Sequence, residues 1–248
     1  MAKDLFSNQA ALYAKYRPSY PAALIDYILS FVEHKQTAWD CATGNGQAAL
    51  LYSDRFEKVF ATDISEKQIA QATAHPKISY SVSEAEKTTF GDDSFDLITV
   101  SQAYHWLQFD AFFTEATRVG KNGCIVAAWG YKLALCADEN INELVKYFYT
   151  DVIGKYWDAE RKYVDAEYKT IPFAFKKRPS REFRTEVEWG VEELLGYFST
   201  WSSVQHFIKI NGHSPIDEIG DSIKSLWSDR TRKLFSFPIF LLMGVIEK

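Results

Sequence analysis

The stretch Trp39-Asp40-Cys41-Ala42-Thr43-Gly44-Asn45-Gly46-Gln47 decides the fold. An apolar run from Trp39 to Ala42 predicts a buried strand. Gly44 and Gly46 then let the backbone turn sharply and approach a ligand without a Cβ atom in the way. The stretch therefore predicts the first strand of a nucleotide-binding α/β sheet, followed by a helix that begins at Gln47.

Short apolar runs alternate with helical patterns on both sides of this stretch. Helical spacing predicts helices at residues 21–32, 47–52, 65–74 and 110–119, and apolar runs predict strands at 59–63, 78–82, 95–100 and 124–129. Such alternation is typical of an α/β fold whose mainly parallel sheet is doubly wound, with helices on both faces.

The C-terminal half changes this rhythm. Residues 140–168 are helical in pattern and rich in Tyr, Phe and Trp, as an insertion or cap would be. Helices are then predicted at 192–198, 201–210 and 215–227, and strands at 183–189 and 237–246. No linker-like stretch divides the 248 residues, so we expect a single domain over 1–248, with a core at about 22–135 and the cap and C-terminal strands at about 136–248.

Charge and composition exclude several function classes. The net charge of −5 argues against nucleic-acid binding, and the basic cluster Lys176-Lys177-Arg178 with Arg181 is predicted to be a solvated loop. The three cysteines have no metal-site or disulfide spacing, so no metal is expected. Without a signal-like or membrane-length apolar run, we expect no membrane insertion and a cytoplasmic location.

Acidic and polar residues follow the predicted strands. Asp40, Asp63, residues 84–86 and residues 101–106 all fall at carboxyl ends of strands, which meet at one edge of a parallel sheet. Asp63 lies 17 positions after Gly46, close to the spacing at which a strand-end carboxylate meets ribose hydroxyls. Each acid has an alternative: Asp40 as a helix cap, Asp63 as a turn residue, and Glu84 or Glu86 as a solvated side chain.

Taken together, these motifs resemble the class I S-adenosylmethionine-dependent methyltransferases. The main part of the resemblance is the run of residues 40–46, followed by Asp63. The runs at 83–86, 95–98 and 102–106, and the N-terminal Tyr16-Arg17-Pro18-Ser19-Tyr20-Pro21, resemble the small-molecule branch, methyltransferase type 11, with the trans-aconitate methyltransferase-like proteins. The resemblance covers roughly residues 6–130 and implies a seven-stranded Rossmann-like sheet.

The resemblance also implies S-adenosylmethionine as the cofactor and a set of residues around it. Gly44 and Gly46 would lie against its methionine part, Asp63 would accept from the ribose, and residues 101–103 would lie beneath the sulfonium. The full predicted cofactor set is Asp40, Gly44, Gly46, Asp63, Ile64, Ala85, Glu86, Ser101, Gln102 and Ala103. Independently, the sulfonium and ammonium groups favour a crevice lined by carboxylates, where a pyrophosphate would be repelled.

The predicted catalytic residues are His105 and Arg17. Methyl transfer is an in-line displacement at an activated carbon, so alignment matters most and a base is optional. His105 could take a proton near neutral pH, hold a carboxylate, or only fix its loop. If the small-molecule acceptor is a carboxylate, Arg17 could pair with it in a bidentate manner.

Tyr16, Arg17, Tyr20, His105 and Trp106 are the predicted acceptor-binding residues. An alternative for the N-terminal tyrosines, Tyr13 included, is a surface flap packed on the fold. Two other functions stay open: a nicotinamide-dependent oxidoreductase, because residues 44–49 fit the permissive G-x-G-x-x-G/A pattern, and a cofactor-binding protein without catalysis. The acceptor's identity and a monomeric or dimeric state are also left open.

Overall fold

A computed structural model of the chain describes residues 12, 15–227 and 231–248. Tyr13 and residues 6–11 of the predicted N-terminal segment lie outside the described residues. The described strands are β1 (Thr37–Cys41), β2 (Lys58–Asp63), β3 (Ile78–Val82), β4 (Phe95–Ser101), β5 (Gly120–Tyr131), β6 (Lys176–Lys177), β7 (Phe183–Trp189) and β8 (Lys233–Val245).

The described helices surround these strands. They are α1 (Ala22–Leu29), α2 (Gln47–Tyr52), α3 (Glu66–Ile69), α4 (Phe109–Val119), α5 (Glu139–Tyr147), α6 (Arg161–Asp165), α7 (Val191–Ser199), α8 (Ser202–Asn211) and α9 (Ile216–Leu226). Ser65 caps α3, because its hydroxyl accepts from the backbone N–H of Gln68. The helix predicted to reach residue 74 nevertheless ends at Ile69.

In the described chain the strands form one eight-stranded sheet in the order β3-β2-β1-β4-β5-β8-β6, with β7 also paired to β8. Strands β1 to β5 run parallel, and β8 is antiparallel to β5, β6 and β7. The predicted α/β fold is confirmed. The count exceeds the predicted seven because the exposed residues 176–177, predicted as a loop, pair with β8.

Side chains of β1 alternate between two buried clusters, which is why the sheet is covered on both faces. Ala38 packs with apolar residues of α1 and α2, whereas Trp39 packs on the other face. The Trp39 ring centroid lies 6.3 Å from that of Phe112 in α4. This double cover fixes β1 at the centre of the sheet and brings the strand-end loops of β1 to β4 to one edge.

The C-terminal helices belong to the same core. Residues of α5, α7 and α9 share a buried cluster with Phe235 and Phe237 of β8. A π-helical turn at Phe148–Val152 and a 3-10 turn at Gly154–Tyr156 follow α5 and lead to Trp157 and α6. Within the described ranges, no helix has the length and apolar character to cross a membrane.

Candidate active site

A cleft opens at the carboxyl ends of β1 to β4, and we call it the strand-end cleft. Four consecutive strand-end loops supply its wall, with additions from the N-terminal segment and α3. Its lining residues are 20, 42–45, 47, 63–65, 68, 83–86, 101–103, 106 and 107. The predicted convergence of these loops is therefore observed. The described wall contains three carboxylates, those of Asp63, Glu84 and Glu86, and no Lys or Arg.

The turn after β1 needs left-handed backbone at several positions. Gly44 has φ of +59° and Gly46 has φ of +84°, where L side chains are disfavoured. Gly44 lines the strand-end cleft, as predicted from the sequence. Gly46 does not: a Cβ atom there would collide with the Tyr80 ring, so this glycine permits close packing behind the turn.

Asp63 joins two of the loops. One carboxylate oxygen accepts from the backbone N–H of Gly44 at 2.8 Å, and the other accepts from the backbone N–H of Ser65 at 2.8 Å. Asp63 also lines the cleft. Because each carboxylate oxygen can accept more than one hydrogen bond, this side chain can hold the turn in shape and still accept from a ligand hydroxyl.

Asp40 is not on the cleft wall, which corrects its predicted contact with a cofactor. Its side chain is fully buried, and its two oxygens accept from the hydroxyls of Thr43 at 2.5 Å and Thr99 at 2.6 Å. Burial raises the pKa of the Asp40 carboxyl, against the lowering effect of these hydroxyls. Asp40 therefore supports the turn from below, through Thr43.

The loop after β3 closes the acidic side of the cleft. Ile64 and Ala85 supply apolar wall, and Ala85 is buried. Glu86 accepts from the backbone N–H of Gln108 at 2.8 Å, which ties this loop to the start of α4. Glu84 lines the cleft but is exposed. Ile64, Ala85 and Glu86 thus stand where the sequence predicted a cofactor wall.

Gln102 is the most unusual residue of the wall. Its φ of +56° is rare for a residue other than glycine, and its backbone N–H donates to the Trp129 carbonyl at 2.8 Å. Its side-chain Nε2 is buried and has no hydrogen-bond partner within the described ranges. Ser101 and Ala103 flank it on the same wall. A strained backbone and an unpartnered donor at one position point to ligand contact.

A second, smaller cleft lies beyond Gln102, and we call it the cap cleft because the C-terminal half of the chain supplies one side of it. It is lined by Arg17, Gln102, His105, Trp106, Trp157, Asp158, Arg161 and Ser202. Gln102 and Trp106 line both clefts. The predicted Arg17, His105 and Trp106 are brought together here, whereas residues 157, 158, 161 and 202 were missed by sequence reasoning.

The two N-terminal tyrosines separate. Tyr20 lines the strand-end cleft rather than the cap cleft, with its ring edge-on to Trp129 at 5.4 Å between centroids. Tyr16 lines neither cleft, and its ring packs on Gly196 of α7 so closely that a Cβ atom there would collide with it. This packing agrees with the surface-flap alternative for Tyr16, and its predicted contact with the acceptor stays a prediction.

Arg17 is anchored in the fold. Its guanidinium donates to the Tyr131 hydroxyl at 2.7 Å and to the Thr200 carbonyl at 3.1 Å, and it lies 5.2 Å from the centroid of the Tyr197 ring. These contacts join the N-terminal segment to β5 and α7. Arg17 lines the cap cleft, but two of its nitrogens donate to the protein's own structure, and its predicted contact with an acceptor stays a prediction.

His105 is buried and hydrogen-bonded through Nδ1 to the Tyr168 hydroxyl at 2.9 Å. Burial, and secondarily the positive charge of Arg161, lowers the pKa of His105 to about 3. The near-neutral pKa expected from the sequence is therefore wrong, since it ignored this burial. A neutral imidazole with so low a pKa is a poor proton acceptor, and the Tyr168 contact favours a role in fixing the loop.

Comparisons with known proteins agree with this geometry. The family model described as a methyltransferase domain matches residues 39–128. A protein of Dictyostelium discoideum that carries the name methyltransferase is 30% identical over 98% of this chain and 95% of its own length. A Saccharomyces cerevisiae relative named as an S-adenosylmethionine-dependent methyltransferase, CRG1, is 27% identical over 63% of this chain and 59% of its own.

Solved structures give the same picture. A protein of Anaeromyxobacter dehalogenans named as a type II methyltransferase superposes with a TM-score of 0.85 and 33% identity, covering 94% of this chain and 99% of that one. A protein of Bacillus halodurans, named as a methyltransferase, shares the fold at a TM-score of 0.53 and 19% identity, covering 91% of this chain and 100% of that one.

Proposed function

The chain belongs to the class I S-adenosylmethionine-dependent methyltransferases, and we propose that it transfers the methyl group to a small acceptor with an anionic group, held in the cap cleft. The observation that carries this proposal is that the two clefts meet at Gln102 and Trp106. A cofactor in one cleft and an acceptor in the other would face each other across these two residues. The finer assignment to the trans-aconitate methyltransferase-like branch stays a prediction.

The strand-end cleft suits S-adenosylmethionine by charge and by hydrogen bonding. Asp63, Glu84 and Glu86 favour a cofactor with a sulfonium and an ammonium group and disfavour the pyrophosphate of a nicotinamide dinucleotide. Asp63 would accept from ribose hydroxyls, while Ile64 and Ala85 would flank the adenine. Gly44, at the turn, leaves room for the methionine part.

The bound cofactor supplies an activated methyl group on a sulfonium, and the chain's own residues would supply alignment. Trp106, at the junction of the clefts, limits the space and helps to exclude water. A carboxylate acceptor is already a nucleophile and needs no base, which agrees with the low pKa of His105. His105 and its Tyr168 partner would then hold the loop in place.

An anionic acceptor is supported by the charges of the cap cleft. Arg17 and Arg161 contribute two positive charges to the described wall, and Asp158 contributes one negative charge, which leaves an excess of one positive charge. A singly charged carboxylate complements this excess better than a phosphate dianion does. The tryptophans at 106 and 157 would flank an apolar body next to the carboxylate.

Calorimetry tests the cofactor first. Titration with S-adenosylhomocysteine should show binding, and titration with NAD⁺ at the same concentration should not. Binding of NAD⁺ without binding of S-adenosylhomocysteine would favour the nicotinamide-dependent oxidoreductase instead. Methyl transfer from labelled S-adenosylmethionine is then measured on a panel of small carboxylic acids and their neutral amides. Labelled methyl esters from the acids support the proposal, and transfer to the amides alone contradicts the anionic acceptor.

A further inference from the structure

The two arginines of the cap cleft differ in how their guanidinium groups are engaged. Both terminal nitrogens of Arg17 donate hydrogen bonds within the protein, one to the Tyr131 hydroxyl and one to the Thr200 carbonyl. Arg161 donates through Nε to the Tyr149 hydroxyl at 2.6 Å, and this nitrogen also lies 3.4 Å from a carboxylate oxygen of Asp165. Its Nη1 and Nη2 make no hydrogen bond within the described parts of the chain. Arg161 therefore keeps both terminal nitrogens for a ligand, whereas each terminal nitrogen of Arg17 already donates to the protein.

Arg161 is also held in position before any ligand arrives. Its guanidinium lies 4.5 Å from the centroid of the Trp157 ring and 5.2 Å from that of Tyr149. The side chain is 24% exposed, so it is ordered by packing yet reachable from the cleft. Because its rotamer is fixed in advance, binding of an anion costs less side-chain entropy than binding by a mobile lysine would.

The charge of Arg161 acts near the junction of the clefts. It contributes to the lowered pKa of His105, which lies on the loop that also carries Gln102 and Trp106. On the same wall, Nε2 of Gln102 is a buried donor without a partner in the described residues. One charged and one neutral donor thus converge on a cleft that opens beside the expected position of the methyl group.

We propose that Arg161 is the residue that selects the acceptor, by donating from Nη1 and Nη2 to its carboxylate, with Gln102 as a second donor. This inference rests on the proposed function and deepens it. Arg17, in contrast, fixes the wall of the cleft and does not set the preference for an anion. Specificity for the acceptor therefore resides in the segment from Trp157 to Arg161.

A pair of probes of matched shape tests the proposal: phenylacetate, which has a carboxylate, and phenylacetamide, which does not. Dissociation constants are measured by NMR titration, with and without saturating S-adenosylhomocysteine. Wild-type protein should bind phenylacetate at least fivefold more tightly than the amide. In Arg161→Met this preference should vanish, and Arg161→Lys should retain part of it, because the charge stays but the planar fork is lost.

Lys162→Met is the matched control, since it removes the same charge from the next residue, which is exposed and outside the cleft. It should keep the full preference for phenylacetate. The proposal is overturned if Arg161→Met retains the preference or if the wild type shows none. Binding of S-adenosylhomocysteine by the wild type and by all variants is measured separately. Failure of the wild type to bind it would contradict the proposed function. Loss of the preference for phenylacetate with cofactor binding intact concerns acceptor selection alone.

Discussion

The strand-end cleft and the cap cleft are built in different ways. The first is made by backbone turns at the ends of four parallel strands, and Asp63 fastens two of these turns through backbone N–H groups. The second is made by side chains from four distant parts of the chain, and Arg161 is held there by aromatic rings. A cofactor site shaped by backbone tolerates few changes, whereas an acceptor site shaped by side chains can change its specificity without altering the sheet.

Replacement of Asp63 by Ala is the strongest way to separate the two clefts. It removes an acceptor for ribose hydroxyls and leaves the backbone N–H groups of Gly44 and Ser65 without their partner. We expect affinity for S-adenosylhomocysteine to fall about 100-fold, equivalent to about 2.8 kcal/mol, by calorimetry. Glu84→Gln, on the exposed rim of the same cleft, should change it less than threefold. Equal losses in both variants would mean that only charge matters here.

His105→Gln tests how burial of His105, on the loop between the clefts, affects the pH dependence of stability. The pKa of His105 is lowered from 6.5 to about 3, so its stabilising contribution is complete above pH 6.5 and is lost as the pH falls towards 3. Urea unfolding should show that wild-type protein loses about 2 kcal/mol relative to the variant between pH 6.5 and 5.

Activity gives a second measurement on the same variant. Because a histidine with a pKa of about 3 does not titrate near neutrality, kcat/KM should show no His105-dependent inflection between pH 6 and 8. An inflection near pH 6.5 in the wild type that disappears in His105→Gln would restore His105 as a general base.

Gly46→Ala tests the packing behind the turn, with Gly123→Ala as its matched control. Both glycines have similar left-handed φ values, +84° and +88°, but a Cβ atom meets the Tyr80 ring at Gly46 and open space at Gly123. The control should lose about 1 kcal/mol of unfolding free energy, from the backbone alone. Gly46→Ala should lose about 1 kcal/mol more.

Affinity for S-adenosylhomocysteine should distinguish these two glycine variants as well. It should fall severalfold in Gly46→Ala, because displacement of Tyr80 disturbs the turn, and stay unchanged in Gly123→Ala. Equal stability and equal affinity of the two variants would show that Tyr80 moves aside without cost.

What the sequence could predict follows the same division between the clefts. Strand ends are local features, so Gly44, Asp63, Ile64, Ala85, Glu86 and residues 101–103 were predicted and do line the strand-end cleft. The cap cleft depends on how residues 157–161 come to lie beside the loop after β4, and no local pattern encodes that long-range arrangement. The available signal was a charged pair, Asp158 and Arg161, within an aromatic segment already predicted to be a cap.

Errors on individual residues came from burial, which the sequence pattern does not report. Asp40 lies near the carboxyl end of β1 and was expected to face the ligand, but its carboxylate turns under the loop towards Thr43 and Thr99. Tyr16 and Tyr20 lie in one motif, yet Tyr16 packs on α7 and Tyr20 lines the strand-end cleft. Period and spacing place a residue at a sheet edge, but the packing partner decides where its side chain points.

The smallest expected effect, that of Asp40→Asn, tests the backbone-built cleft from beneath. Burial favours the neutral carboxyl and raises its pKa, while the Thr43 and Thr99 hydroxyls favour the charged form. Because the effect of burial exceeds that of the hydroxyls, the pKa of Asp40 is higher in the folded state than its usual value of 3.8. The stability contributed by Asp40 is therefore complete below pH 3.8 and is lost as the pH rises through the folded-state pKa. The asparagine variant lacks this loss, so the stability of the wild type relative to it should fall as the pH rises from 4.5 to 7.

Urea unfolding of both proteins across this pH range measures the difference, in which the other titrating groups largely cancel. A wild-type advantage that instead grows with pH would mean that the two hydroxyls hold Asp40 ionised. Because Asp40 is off the wall, affinity for S-adenosylhomocysteine should fall far less than in Asp63→Ala. An equal fall in affinity would show that the charge of Asp40 affects cofactor binding through the turn. Binding in the strand-end cleft would then depend on the buried Asp40 as much as on the residues of the wall.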